Sequence, residues 1–307
     1  MSKIFLTTLN QTTVLLFIMS LGYILGKLKL LDQNAGTVLS RLESFIFLPA
    51  VVFQSFSRNF TVKVFTEQKG ILISGFIILI AGLIISIFLA KLFTKDKDLN
   101  KIYIYAFTIS NNGYMGLTLV GSVFGDDALF KMILFCIPAN IFIYTVGIML
   151  LTPQSGKISF KSLLNPSIIA MVAGAVIGII GIQLPLIVDE AATSLSKCMA
   201  PVAMLLTGFI IAKNNILELL KAKKAYFASL IRLVVLPIVG GVILKLIGVP
   251  EDLMIVSLAF LSMPIGLNTV VFPAAYGGNS TVGAQMAFIS HTLSIITIPI
   301  IFAIFLP

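Results

Sequence analysis

Charge, histidine and cysteine are all scarce in this sequence. Of 307 residues, 11% are charged, two are cysteine and one is histidine. Cys136 and Cys198 both fall inside apolar runs, which excludes a disulfide framework or a CxxC metal or redox motif and leaves packing as their role. A lone histidine, His291, cannot build an HExxH site, and no GxSxG turn or pair of intramembrane aspartates appears, so the sequence does not read as an enzyme. Soluble domains carry about 25% charged residues. This chain has fewer than half that, and no polar block separates its apolar runs, so it is one membrane-embedded unit.

Hydrophobic residues make up 58% of the chain and its mean hydropathy is +1.09, more apolar surface than a soluble core can bury. Apolar runs of about 20 residues recur from end to end, continuous rather than alternating, which specifies membrane-spanning helices. The spacing predicts about ten, over 7–29, 38–57, 70–93, 101–123, 129–151, 166–183, 190–211, 225–247, 253–275 and 283–306. No small-residue cleavage site interrupts the stretch between Lys3 and Lys27, so the first helix is retained.

The net charge of +9 does not mark a nucleic-acid partner, because the basic residues lie in short connections without interleaved aromatics. With the N-terminus outside, Lys27, Lys29, Arg41, Lys91, Lys95, Lys97, Lys101, Lys157, Lys161, Lys213 and Lys221 to Lys224 are cytoplasmic. The smaller set Lys3, Arg58, Lys63, Lys69, Lys131, Lys197 and Lys245 is external, with the acidic pairs at 126–127, 189–190 and 251–252. An even number of helices then returns the C-terminus outside as well.

The two halves repeat. At an offset of 152 residues, Gly22, Gly26, Ser44 and Pro49 fall on Gly174, Gly178, Ser196 and Pro201. At 153, Ala106-Phe107, Gly113 and Gly125 fall on Ala259-Phe260, Gly266 and Gly278. Five helices per repeat is an odd number, so the second copy enters the membrane from the opposite side. The expected fold is an all-α membrane protein with a five-plus-five inverted repeat: 1–151, a cytoplasmic linker 152–165, and 166–307.

Both repeats break at matching places. The fourth predicted helix contains Ser110-Asn111-Asn112-Gly113-Tyr114-Met115-Gly116, and the ninth contains Ser262-Met263-Pro264-Ile265-Gly266-Leu267-Asn268-Thr269 followed by Pro273. Proline removes a backbone N–H and frees a carbonyl, and unpaired backbone at membrane depth survives only where it is buried in protein or lines a cavity. Four half-helix ends would then meet near mid-membrane, the N-terminal ones offering partial positive charge and free N–H donors to a carboxylate. Asn111, Asn112 and Asn268 add neutral donors and acceptors. The alternative is that these small and polar residues only mediate close helix packing.

Arg232, in the eighth predicted helix, is the clearest intramembrane charge: it is placed to balance an anionic substrate, to snorkel, or to bond freed carbonyls. Glu43 reads as an ordinary interfacial carboxylate. His291 reads as a hydrogen-bonded structural residue, with proton coupling as the alternative. No acidic pair occupies the breaks, which argues against cation–proton exchange.

The sequence resembles the auxin efflux carrier family along its whole length. The resemblance is carried by Leu21-Gly22-Tyr23-Ile24-Leu25-Gly26, Phe47-Leu48-Pro49-Ala50, Asn111 to Leu117 ahead of Phe124-Gly125, and Met263-Pro264 with Asn268 and Tyr276-Gly277. It implies a scaffold of the first, second, sixth and seventh helices and a mobile transport domain of the others, moving by an elevator-type alternating access. It implies a carboxylate held where the fourth and ninth helices cross, at Asn111, Asn112, Gly113, Pro264, Asn268 and Thr269. It also implies a homodimer through the scaffold and, in bacterial members, dicarboxylate cargo such as malate and malonate. The family often has a Gly-x-Pro pattern after the first break. Here Gly116-Leu117 is followed by Thr118, which makes a less sharply kinked crossing.

The expected function is secondary transport of small organic anions, mono- or dicarboxylates, with no cofactor and with proton or sodium left open as coupling ion. A sodium-coupled symporter like the bile-acid carriers is the rival reading, with Ser110, Asn111, Asn112, Thr269 and Gln285 available to a cation. A receptor would bind without flux. The Lys-over-Arg, Ile-rich composition points to a bacterial plasma membrane.

Overall fold

A computed structural model describes residues 3–32, 34–152, 166–213, 215, 219–276 and 280–306. Most of the expected linker, with Lys157 and Lys161, lies outside the described residues, as do Gly277 and Gly278. Among the described residues the chain is helical, without a strand. In order the helices are α1 (Lys3–Lys27), α2 (Ala35–Asn59), α3 (Val62–Phe93), α4 (Lys97–Thr108), α5 (Leu117–Phe124), α6 (Asp126–Leu151), α7 (Pro166–Ile180), α8 (Leu186–Ala212), α9 (Lys223–Leu246), α10 (Glu251–Ser262), α11 (Asn268–Tyr276) and α12 (Thr281–Phe305).

Local chemistry sets the boundaries. Thr61 caps α3 through Val64 N–H, and Asp96 caps α4 by accepting from the N–H groups of Asp98 and Leu99 at 2.9 Å. Gly125 turns the chain from α5 into α6 at φ +87°, where any other residue would be strained. In α2 and α9 a π-turn, Glu43–Phe47 and Ile231–Val235, comes just ahead of Pro49 and Pro237. The wider turn lets carbonyls stranded by the missing proline N–H reach the next donor.

Seven of these helices are long and apolar enough to cross a membrane. The difference from the ten expected has a physical cause. The fourth and ninth predicted spans are each cut into two short pieces, and α7, at 15 residues, rises only about 22 Å. Large apolar side chains such as Phe17, Phe88 and Ile169 are exposed, as on a surface facing lipid.

α1 packs on α8 and α2 on α7. Glycine permits both approaches, in the same way. A Cβ on Gly22 would overlap the carbonyl of Leu205, and one on Gly174 the carbonyl of Phe53; Gly26 meets Ala212, and Gly178 meets Phe60. Leu205 and Ala212 lie 152 residues after Phe53 and Phe60, the same offset that separates the glycines. α3 packs with α4 and α6, and α9 with α10 and α12.

Several charges sit elsewhere than expected. Lys63 and Lys69 belong to α3, which starts at Val62. Lys131 is buried between Asp127 (2.5 Å) and Asp252 (2.7 Å), joining α6 to α10. Lys197, expected among the external charges, stands about three turns inside α8. Glu43, expected at the interface, is fully buried. Of the cysteines, Cys136 is buried and Cys198 exposed.

Candidate functional site

The two breaks meet. α4 ends at Thr108 and α10 at Ser262, and the next residues run extended past each other as an antiparallel bridge between Ser110 and Ile265. Asn111 N–H donates to the Pro264 carbonyl at 2.7 Å, and Gly266 N–H donates to the Ile109 carbonyl at 3.4 Å. Proline dictates the second break: the residue before it is driven out of the helical region, and Met263 has ψ 148°. Asn111 and Pro264, bonded to each other, are 153 residues apart like the other matched positions of this segment.

Each break leaves a C-terminal helix end whose carbonyls, and an N-terminal end whose N–H groups, lack the regular helical partner; at the second break the Thr269 and Val270 N–H groups turn instead to the Gly266 and Leu267 carbonyls. One side chain serves the C-terminal ends of both. Arg232, 1% exposed, donates from Nη1 to the Phe107 carbonyl (3.0 Å), from Nη2 to Phe260 (2.7 Å) and from Nε to Met263 (3.2 Å). Its cation thus sits where the two helix dipoles are negative. Of the three arrangements open to Arg232 from sequence, the geometry matches bonding to freed carbonyls. The N-terminal ends, at the π-turn Asn112–Gly116 leading into α5 and at Asn268 in α11, carry no acidic residue in their first turns.

The expected site residues gather around this pairing, each differently engaged. Asn111, buried, contacts Nε2 of His291 through its side-chain nitrogen at 2.8 Å, while Nδ1 of His291 lies 2.7 Å from the Ala287 carbonyl. A carbonyl only accepts, so Nδ1 bears the hydrogen and Nε2 accepts from Asn111. The sequence showed no partner for His291; α12 places it against the break. Asn112 is buried beside Cys136, and its Nδ2 has no partner. Gly113 is half-buried and faces open space, with nothing within 4 Å of where a Cβ would stand. Asn268 donates to the Tyr105 hydroxyl at 3.0 Å. Thr269 is turned inward, its hydroxyl bonded to the Gly266 carbonyl at 2.8 Å. Ile265 N–H is accepted by Ser290, a partner with no signature in the sequence. Gln285 is half-buried on α12.

A cavity of about 450 Å³ opens between α2, α8 and α5, in the size range of small-molecule sites. Leu117 and Thr118, the first residues of α5, place it just past the π-turn Asn112–Gly116, and Gln54, Asn59, Ser196 and Lys197 line it from α2 and α8. Gln54 bonds Thr193, and Ser196 donates to Gln54 at 3.0 Å. Arg58 donates to both Asp189 carboxylate oxygens at 2.9 Å. Lys197 was not among the expected site residues, because its position along α8 looks interfacial until the helix start at Leu186 is known.

Comparison with known proteins gives one family. A profile described as membrane transport protein matches residues 8–302. An uncharacterized transporter of Methanocaldococcus jannaschii is 23% identical, aligned over 94% of this chain and 96% of its own. One from Methanothermobacter thermautotrophicus is 21% identical over 97% and 98%, and the uncharacterized transporter YfdV of Escherichia coli 22% over 66% and 68%.

Proposed function

The chain belongs to the auxin efflux carrier family of membrane transport proteins, and on that premise we propose that it is a secondary transporter of small organic anions, mono- or dicarboxylates. The observation that carries the anion assignment is the one-sided use of Arg232. The two negative helix ends share a buried cation, while the two positive ends at Asn112 and Asn268 have no counter-charge in their first turns. A carboxylate supplies what those ends lack. The free Nδ2 of Asn112 and the open space at Gly113 add a donor and room.

The pairing of Asn111 with Pro264 and the recurring glycine contacts support a five-plus-five inverted repeat of about ten spans, with the breaks near mid-membrane. The mutual packing of α1, α2, α7 and α8 supports a scaffold of those helices. The cavity between scaffold and α5 is then the path to the site from one side, and an elevator-type movement of the remaining helices carries the site to the other. A homodimer through the scaffold, both termini outside and a bacterial plasma membrane complete the reading.

Flux tests it. Purified protein in liposomes is loaded with labelled malonate, malate or acetate and release is followed with and without sodium. Sodium-independent release of a carboxylate is the expected result. Strictly sodium-dependent release would replace this reading with the symporter, for which the buried, unpartnered Ser110 hydroxyl beside the break is the structural support. Binding without release would make the protein a receptor.

A further inference from the structure

Glu43 is the one carboxylate among the described residues that is fully buried, and both of its oxygens are without a hydrogen-bond partner. It starts the π-turn of α2. The groups around it are few. α8 presents the Ala203 backbone, and the π-turn before α5 presents Tyr114, whose hydroxyl also reaches Ser44. α7, which packs on α2, has no ionisable residue. On α2 itself Arg41 is exposed; on α8 Asp189 is paired with Arg58 and Lys197 lines the cavity; just past the end of α8 Lys213 lies over the Phe209 ring, beside Gly36, two turns from Glu43 along α2. No ion pair to Glu43 exists among the described residues.

An ionised carboxylate in that setting is heavily penalised, and the ordinary escape is to take up a proton. Its position says what the proton is for. The cavity is lined by Val51 of α2, Thr118 of α5 and Met199 of α8. Going away from the cavity along these same elements, Tyr114 is one turn past Thr118, Ala203 one turn past Met199, and Glu43 two turns past Val51. Glu43 therefore lies in the dry contact that closes the interface beneath the open cavity. Alternating access requires that contact to part, and parting it brings water to the carboxylate.

Resting on the carrier reading above, we propose that Glu43 is a proton-binding site that couples transport to the proton gradient. It holds a proton while the contact is shut and exchanges it with water when the contact opens. Sodium does not fit the same place, since the neighbouring oxygens are two hydroxyls and a helical backbone rather than a cage.

Two measurements on protein in liposomes decide it. Infrared spectroscopy at neutral pH reads the protonation of Glu43 without any substrate: the carboxylic-acid carbonyl band is expected in the parent protein and lost in Glu43→Gln. A carboxylate band in its place overturns the proposal. Flux of labelled malonate and malate is then followed against an imposed pH gradient with a trapped pH indicator. The parent is expected to move protons with the anion. Glu43→Gln is expected to exchange anion for anion but to lose the gradient response. A parent whose flux ignores the gradient also overturns the proposal. If neither anion moves, it is the organic-anion reading that fails, and the infrared band alone decides whether Glu43 holds a proton.

Discussion

Asn111 donates its side-chain amide to Nε2 of His291 across 2.8 Å of buried space, and the far nitrogen of the ring is fixed by the Ala287 carbonyl. The amide at the first break is thus oriented from α12, and the other face of the break is left to the N-terminal end of the π-turn and α5. His291 acts here by positioning Asn111. Replacing it with alanine is expected to weaken carboxylate affinity about tenfold, the loss of one buried hydrogen bond at about 1 to 1.5 kcal/mol. His291→Gln, which can still accept, is expected to recover part of it. Titrations followed by thermal stabilisation measure both, and equal affinity in all three proteins would remove His291 from the site.

Arg232 is held to three carbonyls from two helix ends. Arg232→Met keeps the volume and strands the carbonyls, with an expected loss of about 3 kcal/mol or more. Arg232→Lys is expected to recover little, since a point charge cannot match the planar fork. Detergent melting temperatures report this directly; a stable methionine variant would show that the carbonyls find other donors.

Two glycines with opposite surroundings make a paired test. A Cβ on Gly22 collides with the Leu205 backbone, so Gly22→Ala must push α1 off α8, at an expected cost of about 1 to 3 kcal/mol. Gly113 has nothing within 4 Å, so Gly113→Ala is expected to melt like the parent. Its affinity for carboxylates should fall, because the added methyl enters the space beside the donors. Unchanged affinity would place the ligand elsewhere.

Lys197 lines the cavity on the wall facing α5. Its role in the account is to attract anions on entry, and such attraction is screened by salt. Lys197→Gln is expected to slow carboxylate flux several-fold at low ionic strength and much less at high, with melting unchanged. A defect insensitive to salt would mean that Lys197 touches the bound anion.

The sequence made the long helices plain, because continuous apolar runs at membrane length have few other solutions. It also showed the two breaks, through Asn111-Asn112-Gly113 and Pro264, since those residues disrupt a helix for local reasons. What it did not show depended on pairing across the chain. The partners of Arg232 lie 28 to 125 residues away, and Asn111 lies 180 from His291. The burial of Glu43 was hidden for the same reason: position along α2 gives its depth along the helix axis, whereas the helices packed around it come from α8 and the π-turn after the first break. Lys131 read as one more external charge at the start of a span until Asp252 of α10 was seen beside it.

The central claim is that a carboxylate binds at the paired breaks, and thermal stabilisation of the purified protein by malonate, malate, acetate and an amino-acid panel tests it most directly, since ligand bound to the folded state raises its stability. The account predicts that at least one carboxylate raises the melting temperature without sodium, and that the rise disappears in Asn111→Ala while the unliganded variant still folds. A carboxylate shift that survives in both Asn111→Ala and Asn268→Ala, or no shift with any carboxylate, would contradict it.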